Sequence, residues 1–363
     1  MKKNIVIGLI VLVGGALLIY PLFKDDPSGL RPKKEIPAEF LFKENLATIF
    51  NQEISIDVKV NSTVELLEVI FNDSVIESWN SPAKQIAFQF NPNSFGVGTK
   101  TLLLRSTLED GSTFVDNRLV RVLSDIIPEK LTVNVANSHP HNPTSFTQGL
   151  EFYKGKLYEG TGDPGNQGKT IVAQVELETG EQVQKMGLPA GYFGEGITIL
   201  NDTLYQLTWQ NGKCYMYLVK NNLVPISQEF GYIGEGWGLC NDGKSLIMSN
   251  GSEHITFRDP KTFAIQHSID VYSNKGPVNY LNELEYIDGK IYANVWTTNI
   301  IIAIDPLTGR VLQEIDATNL VIQNRGIGEV LNGIAYNHQT GKTYLTGKNW
   351  NGLFEVSFDS PGE

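Results

Sequence analysis

Five copies of one short pattern place side chains capable of acid–base chemistry at corresponding positions of the chain. Each copy begins with a variable residue, continues with glycine in four of the five, and ends with Leu or Ile. The copies are Gln148-Gly-Leu, Glu195-Gly-Ile, Trp237-Gly-Leu, Asn282-Glu-Leu and Asn332-Gly-Ile. The variable position therefore supplies a carboxylate, which can carry a proton, and three carboxamides, which can hold a polar substrate.

Each copy opens a predicted β-hairpin, which gives the variable residue a partner on the returning strand. Lys154-Gly155 marks the first turn, and the second arm begins at the same offset in the first four copies. When residues are counted from each turn, the expected partners of the five variable residues are, in order, Gly162, Trp209, Gly251, Trp296 and Lys348. Because cross-strand partners lie about 5 Å apart, we expect these residues to form one ring at one rim of the domain.

The expected ring has the composition of a pocket for a small molecule or a peptide end. Trp209, Trp237 and Trp296 would form its apolar walls, while Gly162 and Gly251 would leave room for a ligand. Its polar groups would come from Gln148, Glu195, Asn282, Asn332 and Lys348. In the alternative interpretation, the glycines and tryptophans only pack one repeat against the next.

The spacing of the copies predicts the fold that positions this ring. The copies start at residues 148, 195, 237, 282 and 332, and the segments between them show almost no helical periodicity. Strands that recur every 40 to 50 residues are typical of a β-propeller, in which each repeat supplies one blade. The sequence therefore predicts an all-β fold with a catalytic five-bladed propeller over residues 127–363.

Two further parts are predicted before the propeller. Residues 38–126 contain short alternating strands separated by turn residues, which predicts a small immunoglobulin-like β-sandwich with a spacer or docking role. Residues 27–37 are rich in Pro, Gly and Lys and are interpreted as a linker. We see no catalytic arrangement of residues in the predicted sandwich.

Residues 1–26 are predicted to be a transmembrane or signal helix. The apolar run over residues 5–23 is long enough to span a bilayer, and Lys2 and Lys3 before it favour the cytoplasmic side. An uncleaved anchor and a cleaved signal peptide both stay open. Either one predicts that the remaining chain lies outside the cytoplasm, on the periplasmic or secreted side, and an uncleaved anchor would hold it at the membrane.

Composition and rival motifs exclude several classes of function. The net charge of −11 argues against a nucleic-acid partner, and we expect a monomer. Cys214 and Cys240 are either two free thiols or one bridge, and not a disulfide framework. Residues 162–170 resemble a phosphate loop but precede a predicted strand, so the helix N-terminus that binds phosphate is lacking.

Metal chemistry has little support in the sequence. His139 and His141 are close in sequence, but the other histidines show no matching spacing, so no catalytic metal site is predicted. A structural metal ion in the propeller channel stays open. The chain also lacks a Gly-x-Ser-x-Gly nucleophile motif, so covalent catalysis is not supported.

A resemblance to a known family covers residues 133–356. Its motifs occur in order as Phe146-Thr-Gln-Gly-Leu, Phe193-Gly-Glu-Gly, Leu204-Tyr-Gln-Leu-Thr-Trp, Gly236-Trp-Gly-Leu, Leu281-Asn-Glu-Leu-Glu, Ala293-Asn-Val-Trp, Val330-Leu-Asn-Gly-Ile-Ala and Thr346-Gly-Lys. In these motifs the chain resembles the plant-type, or papaya-type, glutaminyl-peptide cyclotransferases. Residues before 127 lie outside the resemblance, and residues 316–329 fit the family pattern poorly.

The resemblance implies a five-bladed propeller that requires no zinc or other cofactor. It implies conversion of the N-terminal glutamine of peptides or proteins to pyroglutamate with release of ammonia. The family's site residues correspond to Phe146, Gln148, Glu195, Trp209, Trp237, Asn282, Trp296 and Lys348. All of these except Phe146 belong to the expected ring, which adds Asn332 as a substrate-binding residue.

A hypothetical mechanism follows for this site. Glu195 would be the proton shuttle, with its pKa raised by Trp209 beside it. Gln148, Asn282 and Lys348 would hold the substrate or stabilise a developing oxyanion. A non-catalytic propeller that binds a peptide or glycan at the same rim is the main alternative, and a metal-dependent hydrolase is a third.

Overall fold

The computed structural model describes residues 36–42 and 44–360, which are almost entirely β-structure. The predicted anchor and most of the predicted linker lie outside the described residues. No helix within residues 36–42 and 44–360 is long and apolar enough to cross a membrane. The described residues from Pro37 onward form one compact unit.

The N-terminal part of this unit consists of two sheets that share one hydrophobic core. Its strands are β1 (Ala38–Phe40), β2 (Leu46–Ile49), β3 (Ile54–Val60), β4 (Leu66–Phe71), β5 (Ser74–Asn80), β6 (Gln85–Phe90), β7 (Gly98–Thr107) and β8 (Thr113–Leu123), with a short 3-10 helix at Pro92–Phe95. One sheet has the order β1-β3-β6 and the other the order β2-β8-β7-β4-β5. Ile56 and Val58 alternate with exposed residues along β3, which turns one face of that strand into the core.

The remaining strands follow without a long interruption. They are β9 (Glu129–Pro140), β10 (Thr147–Tyr153), β11 (Lys156–Thr161), β12 (Ile171–Val175), β13 (Gln182–Gly187), β14 (Gly194–Leu200), β15 (Thr203–Thr208), β16 (Lys213–Val219), β17 (Leu223–Pro225), β18 (Phe230–Gly231), β19 (Leu239–Asn241), β20 (Leu246–Ser249), β21 (His254–Arg258), β22 (Ile265–Asp270), β23 (Tyr272–Ser273), β24 (Gly276–Pro277), β25 (Leu281–Ile287), β26 (Lys290–Val295), β27 (Ile300–Ile304), β28 (Val311–Asp316), β29 (Leu331–Asn337), β30 (Lys342–Gly347) and β31 (Gly352–Asp359). A short helix, α1 (Thr318–Asn324), lies between β28 and β29.

Five antiparallel hairpins carry the five sequence copies. They are β10/β11, β14/β15, β19/β20, β25/β26 and β29/β30. The first strands of these hairpins contact one another in a closed cycle, from β10 to β14, β19, β25, β29 and back to β10. Further strands extend each hairpin outward, so the sheets are arranged like those of a propeller.

Strand β9 closes this arrangement. It pairs antiparallel with β31 and parallel with β28, which joins the β25–β28 strands and the β29–β31 strands into one eight-stranded sheet. A strand from the start of the repeat region thus completes the sheet formed by its end. This pairing removes two exposed sheet edges.

Glycine in the repeat allows the first strands to approach one another closely. A Cβ on Gly149 would collide with the backbone nitrogen of Ile197, and a Cβ on Gly238 would collide with the carbonyl oxygen of Asn282. The repeated glycine is therefore required because backbone occupies the place of its side chain. Close packing of these strands brings the residue before each glycine to one end of the central ring.

The N-terminal sheets are bonded to the propeller-like part. Lys100 on β7 forms an ion pair of 2.9 Å with Asp270 at the end of β22. Arg310, in the turn between β27 and β28, lies 3.0 Å from Asp125 and 4.3 Å from the centre of the Phe50 ring. The predicted boundary at residue 126 falls between β8 and β9, and these contacts cross it.

Candidate active site

A pocket of about 290 Å³ lies where the five hairpins open. Its lining combines aromatic, carboxamide and charged side chains, from Phe146, Gln148, Phe193, Glu195, Trp209, Trp237, Asn282, Trp296, Glu329, Val330 and Lys348. Eight of the nine residues singled out in the sequence therefore line one pocket. The ninth, Asn332, does not line it.

The cross-strand pairs expected from the sequence are wrong by a small shift of register. In the first hairpin Thr147 pairs with Thr161 and Gly149 with Gly160, so Gln148 occupies a β-bulge and does not face Gly162. Irregularities at the same place enclose Glu195, Asn282 and Asn332 in their own hairpins. The pairs expected from the sequence assume a regular ladder from the turn to the open end of each hairpin. A β-bulge inserts one unpaired residue into one strand, which shifts the pairing and changes the direction of that residue's side chain.

The two glycines of the expected ring do not leave space for a ligand. A Cβ on Gly162 would collide with the ring of Phe193, and a Cβ on Gly251 would lie 2.7 Å from the indole of Trp237. The missing side chains instead make room for aromatic rings of the pocket wall. This corrects the role that the sequence suggested for Gly162 and Gly251.

The aromatic walls are two sets of edge-to-face contacts. On one side Phe146 lies 6.0 Å from Phe193, which lies 5.7 Å from Trp209, as measured between ring centres. On the other side Trp237 and Trp296 are 5.5 Å apart at 89°. Each such pair contributes about 0.5–1.5 kcal/mol beyond the burial of its area, so the walls are held in shape without a ligand.

Glu235 joins the two walls. Its Oε2 atom accepts hydrogen bonds from the indole Nε1 of Trp209 at 2.8 Å and of Trp237 at 2.9 Å. Its Oε1 atom accepts a third bond from the Nε2 of Gln210 at 2.8 Å. These bonds hold the pKa of Glu235 below its usual range, although partial burial opposes them. Two of the three tryptophans are therefore oriented by one carboxylate that sequence analysis missed.

Glu195 is the buried acid of the pocket. It is 5% exposed, and the loss of hydration raises its pKa well above the ordinary range. The positive charge of Lys348 opposes this rise and the negative charge of Glu235 adds to it. The Nε2 of Gln148 donates a hydrogen bond of 3.2 Å to Glu195. A carboxyl whose pKa is raised in this way can hold a proton and pass it to a substrate.

Lys348 is the buried cation of the pocket. It is 4% exposed, and burial lowers its pKa, while the charges of Glu195 and Glu329 act in the opposite direction. Its Nζ lies 4.8 Å from the centre of the Phe146 ring and forms no ion pair within the part of the chain that the structure describes. Its donors are thus available to an oxygen atom in the pocket.

The carboxamides have different positions relative to the pocket. Asn282 lines it, and its Oδ1 is buried without a hydrogen-bond partner among the described residues. Asn332 lies beneath it, where its Nδ2 donates to Thr147 O at 2.9 Å and to Gln148 Oε1 at 3.2 Å. Asn332 therefore orients Gln148, which in turn contacts Glu195, while Asn282 is itself part of the pocket lining.

The histidines and cysteines lie apart from this chemistry. His141 is buried and bonded to Glu159 Oε1 at 2.9 Å and to Trp350 O at 2.8 Å. Cys214 and Cys240 are buried free thiols whose pKa values are raised by burial. Within residues 36–42 and 44–360, no group of three or more His, Cys, Asp or Glu side chains is placed to hold a metal ion.

Comparison with known proteins links this chain to one family. The family model described as glutamine cyclotransferase matches residues 113–358, so the match begins at the first residue of β8, earlier than the resemblance seen in the sequence. A glutaminyl-peptide cyclotransferase of Arabidopsis thaliana is 36% identical over 231 residues, which cover 62% of this chain and 70% of that protein. The crystal structure of Myxococcus xanthus glutaminyl cyclase is 35% identical with a TM-score of 0.60, covering 64% of this chain and 99% of that one.

Proposed function

The chain belongs to the glutamine cyclotransferase family, and we propose that its aromatic pocket converts the N-terminal glutamine of peptides or proteins to pyroglutamate. The observation that carries this proposal is that one pocket with aromatic walls holds both a buried carboxyl, Glu195, and a buried cation, Lys348. The family match supports the activity of a glutaminyl-peptide cyclotransferase, and the pocket residues supply its chemistry.

The first task of the pocket is to fold the substrate. The α-amine and the γ-carboxamide belong to one glutamine, so the reaction needs a ring-ready conformer more than it needs a second reactant. A pocket of about 290 Å³ between the rings of Trp209, Trp237 and Trp296 restricts an extended side chain to compact conformers.

The second task is the transfer of one proton. The α-nitrogen forms a bond to the carboxamide carbon, and the bond from that carbon to the amide nitrogen breaks. Glu195 accepts the proton that the α-nitrogen loses and returns it to the departing nitrogen, which leaves as ammonia. The carboxyl ends each cycle in its starting state, and its raised pKa suits both steps.

The third task is stabilisation of negative charge on the carboxamide oxygen. Lys348 is a buried donor without an ion-pair partner among the described residues, so it suits this oxygen best. Asn282 lines the same pocket, and its carboxamide is the group we assign to the substrate's α-amine. Gln148 is already bonded to Glu195 and keeps that carboxyl in position. The lining residues include no His or Cys, and we propose that no zinc or other cofactor takes part.

The test is an ammonia-release assay with a peptide that begins with glutamine. We expect Glu195→Gln to abolish release while the thermal unfolding temperature stays unchanged. The matched control is Glu229→Gln, because Glu229 is exposed and its one ion-pair partner among the described residues is Lys213 at the surface. Retained activity in Glu195→Gln would refute the assignment of the shuttle. Peptide binding without ammonia release would favour a non-catalytic binder, and loss of activity in EDTA would favour a metal-dependent hydrolase.

We also propose the finer architecture and location. The closed cycle of five hairpins supports five blades, and the two sheets around one core support an immunoglobulin-like sandwich before them. The apolar run over residues 5–23 supports a membrane anchor or signal segment and an extracytoplasmic site of action. We propose a monomer. Protease protection in vesicles tests the location, and light scattering of the purified chain tests the monomer.

A further inference from the structure

A second cavity adjoins the candidate active site and shares one wall with it. Its volume is about 480 Å³, larger than the pocket of about 290 Å³ that holds Glu195. Phe146 lines both cavities. The smaller pocket is at the low end for bound ligands and suits one residue, so the rest of a peptide must leave it. Because Phe146 lines both, the second cavity is the neighbouring space into which the rest of the peptide would extend.

Two lysines give the second cavity its charge. Lys169 and Lys185 line it from two segments, the loop before β12 and strand β13, and both are exposed. The side chain of neither forms an ion pair or a hydrogen bond among residues 36–42 and 44–360. Their ammonium groups therefore remain available to a ligand.

The acid in this cavity is already occupied. Asp163 is 7% exposed, and its Oδ2 accepts hydrogen bonds from the backbone nitrogens of Gln167 at 2.6 Å and Lys169 at 2.9 Å. Asp163 thus fixes the loop that carries Lys169. The floor is polar, because Gln182 donates to Ser145 Oγ at 2.8 Å and to Glu159 Oε2 at 3.1 Å. The carboxylate of Glu159 beneath it is paired with His141 at 2.9 Å. The cavity as a whole favours a negatively charged ligand.

We propose that this cavity is a substrate subsite that binds a carboxylate of the peptide shortly after the N-terminal glutamine, through Lys169 and Lys185. The inference rests on the proposed function, since it extends the path of the same substrate. The carboxylate comes either from an acidic side chain or from the free C-terminus of a short peptide. Because both lysines are exposed, the preference weakens as salt is raised.

The test compares four peptides by kcat/KM for ammonia release. They are Gln-Ala-Asp-amide, Gln-Ala-Lys-amide, Gln-Ala-Ala-amide and Gln-Ala-Ala with a free C-terminus. We expect the wild type to prefer the carboxylate peptides over Gln-Ala-Ala-amide by about fivefold, as two exposed ion pairs give. The two carboxylate peptides distinguish an acidic side chain from a free terminus. Lys169→Gln combined with Lys185→Gln should abolish the preference and leave Gln-Ala-Ala-amide unchanged.

The matched control is Lys244→Gln, at an exposed lysine in the turn between β19 and β20. It should keep the full preference. An equal rate for all four wild-type peptides, or a preference that survives in the double variant, overturns the proposal. If the wild type releases no ammonia from any peptide, the proposed function fails. Isothermal titration calorimetry with the same peptides then tests the subsite separately. The proposal requires that the wild type binds the carboxylate peptides more tightly than Gln-Ala-Ala-amide and that the double variant does not.

Discussion

Replacing Glu235 should separate the shape of the pocket from its charge. In Glu235→Ala the indoles of Trp209 and Trp237 lose their shared acceptor. Hydrogen bonds to a charged group contribute about 1.5–3 kcal/mol, and partial exposure reduces each of these two to about 1 kcal/mol. Without these bonds, substrate binding must supply the free energy that orders both walls. A loss of about 2 kcal/mol of binding free energy raises KM about 30-fold, with a smaller change in kcat.

Glu235→Gln should leave the walls in place. Its amide oxygen can accept from both indoles, and its amide nitrogen can face Gln210, whose own amide can turn. The variant loses the negative charge that helps to raise the pKa of Glu195, while Lys348 still acts to lower it. The pKa of Glu195 then falls, so the acidic limb of the pH profile of kcat/KM moves to lower pH, and KM stays within about twofold of the wild type.

Two measurements decide this prediction. Steady-state ammonia release gives kcat, KM and the pH profile for both variants and for the surface control Glu229→Gln. Nitrogen–proton NMR spectra of the substrate-free protein show the indole N–H signals of Trp209 and Trp237, which should shift strongly in Glu235→Ala and little in Glu235→Gln. The reasoning is wrong if Glu235→Ala keeps a wild-type KM, or if both variants raise KM equally.

Three further predictions concern packing, pH and the carboxamides. Gly251→Ala should lower kcat/KM about tenfold, because the added methyl group displaces the indole of Trp237. The control is Gly243→Ala, since Gly243 has a similar φ of 83° and no atom within 4 Å of an added Cβ; it should only lower the melting temperature. Burial raises the pKa of Glu151 to about 8. The protonated carboxyl therefore stabilises the fold fully below about pH 4.5, and this stabilisation is lost as the pH rises to about 8. Urea unfolding between these pH values should show a smaller loss of unfolding free energy in Glu151→Gln than in the wild type. Asn332→Asp removes the donor to Gln148 and should lower kcat more than it changes KM, while a wild-type kcat would contradict its positioning role.

The sequence predicted most of the site because the repeat marks it. The variable position of each copy is found by its glycine and its spacing, which is enough to select Gln148, Glu195 and Asn282. The depth of each side chain could not be predicted, because the β-bulges are properties of backbone pairing and leave no residue signal of their own. This is why Asn332 was expected in the pocket and lies beneath it.

The residues that sequence analysis missed share a different property. Phe193 and Glu235 each lie two residues before a member of the repeat, outside the position that the repeat compares. A signal existed for Phe193, which stands in the motif Phe193-Gly-Glu-Gly. Glu329 ends residues 316–329, where the family pattern fits poorly and the chain forms α1, and Val330 follows directly. They reach the pocket because this irregular segment folds over its rim. The segment is not part of the repeat, so the spacing of the repeat cannot predict its position.

The fourth copy shows that the repeat varies for two different reasons. Glu283 occupies the place of the repeated glycine and is 1% exposed. Its Oε1 accepts from the backbone nitrogen of Leu150 on β10 at 3.2 Å, and its Oε2 from that of Ile334 on β29 at 2.8 Å. The innermost strands have N–H groups without a neighbouring strand, and a buried N–H without a partner costs about 1–3 kcal/mol. Variation at the first position therefore sets the chemistry of the pocket, whereas this variation at the second position satisfies the strands that form the ring.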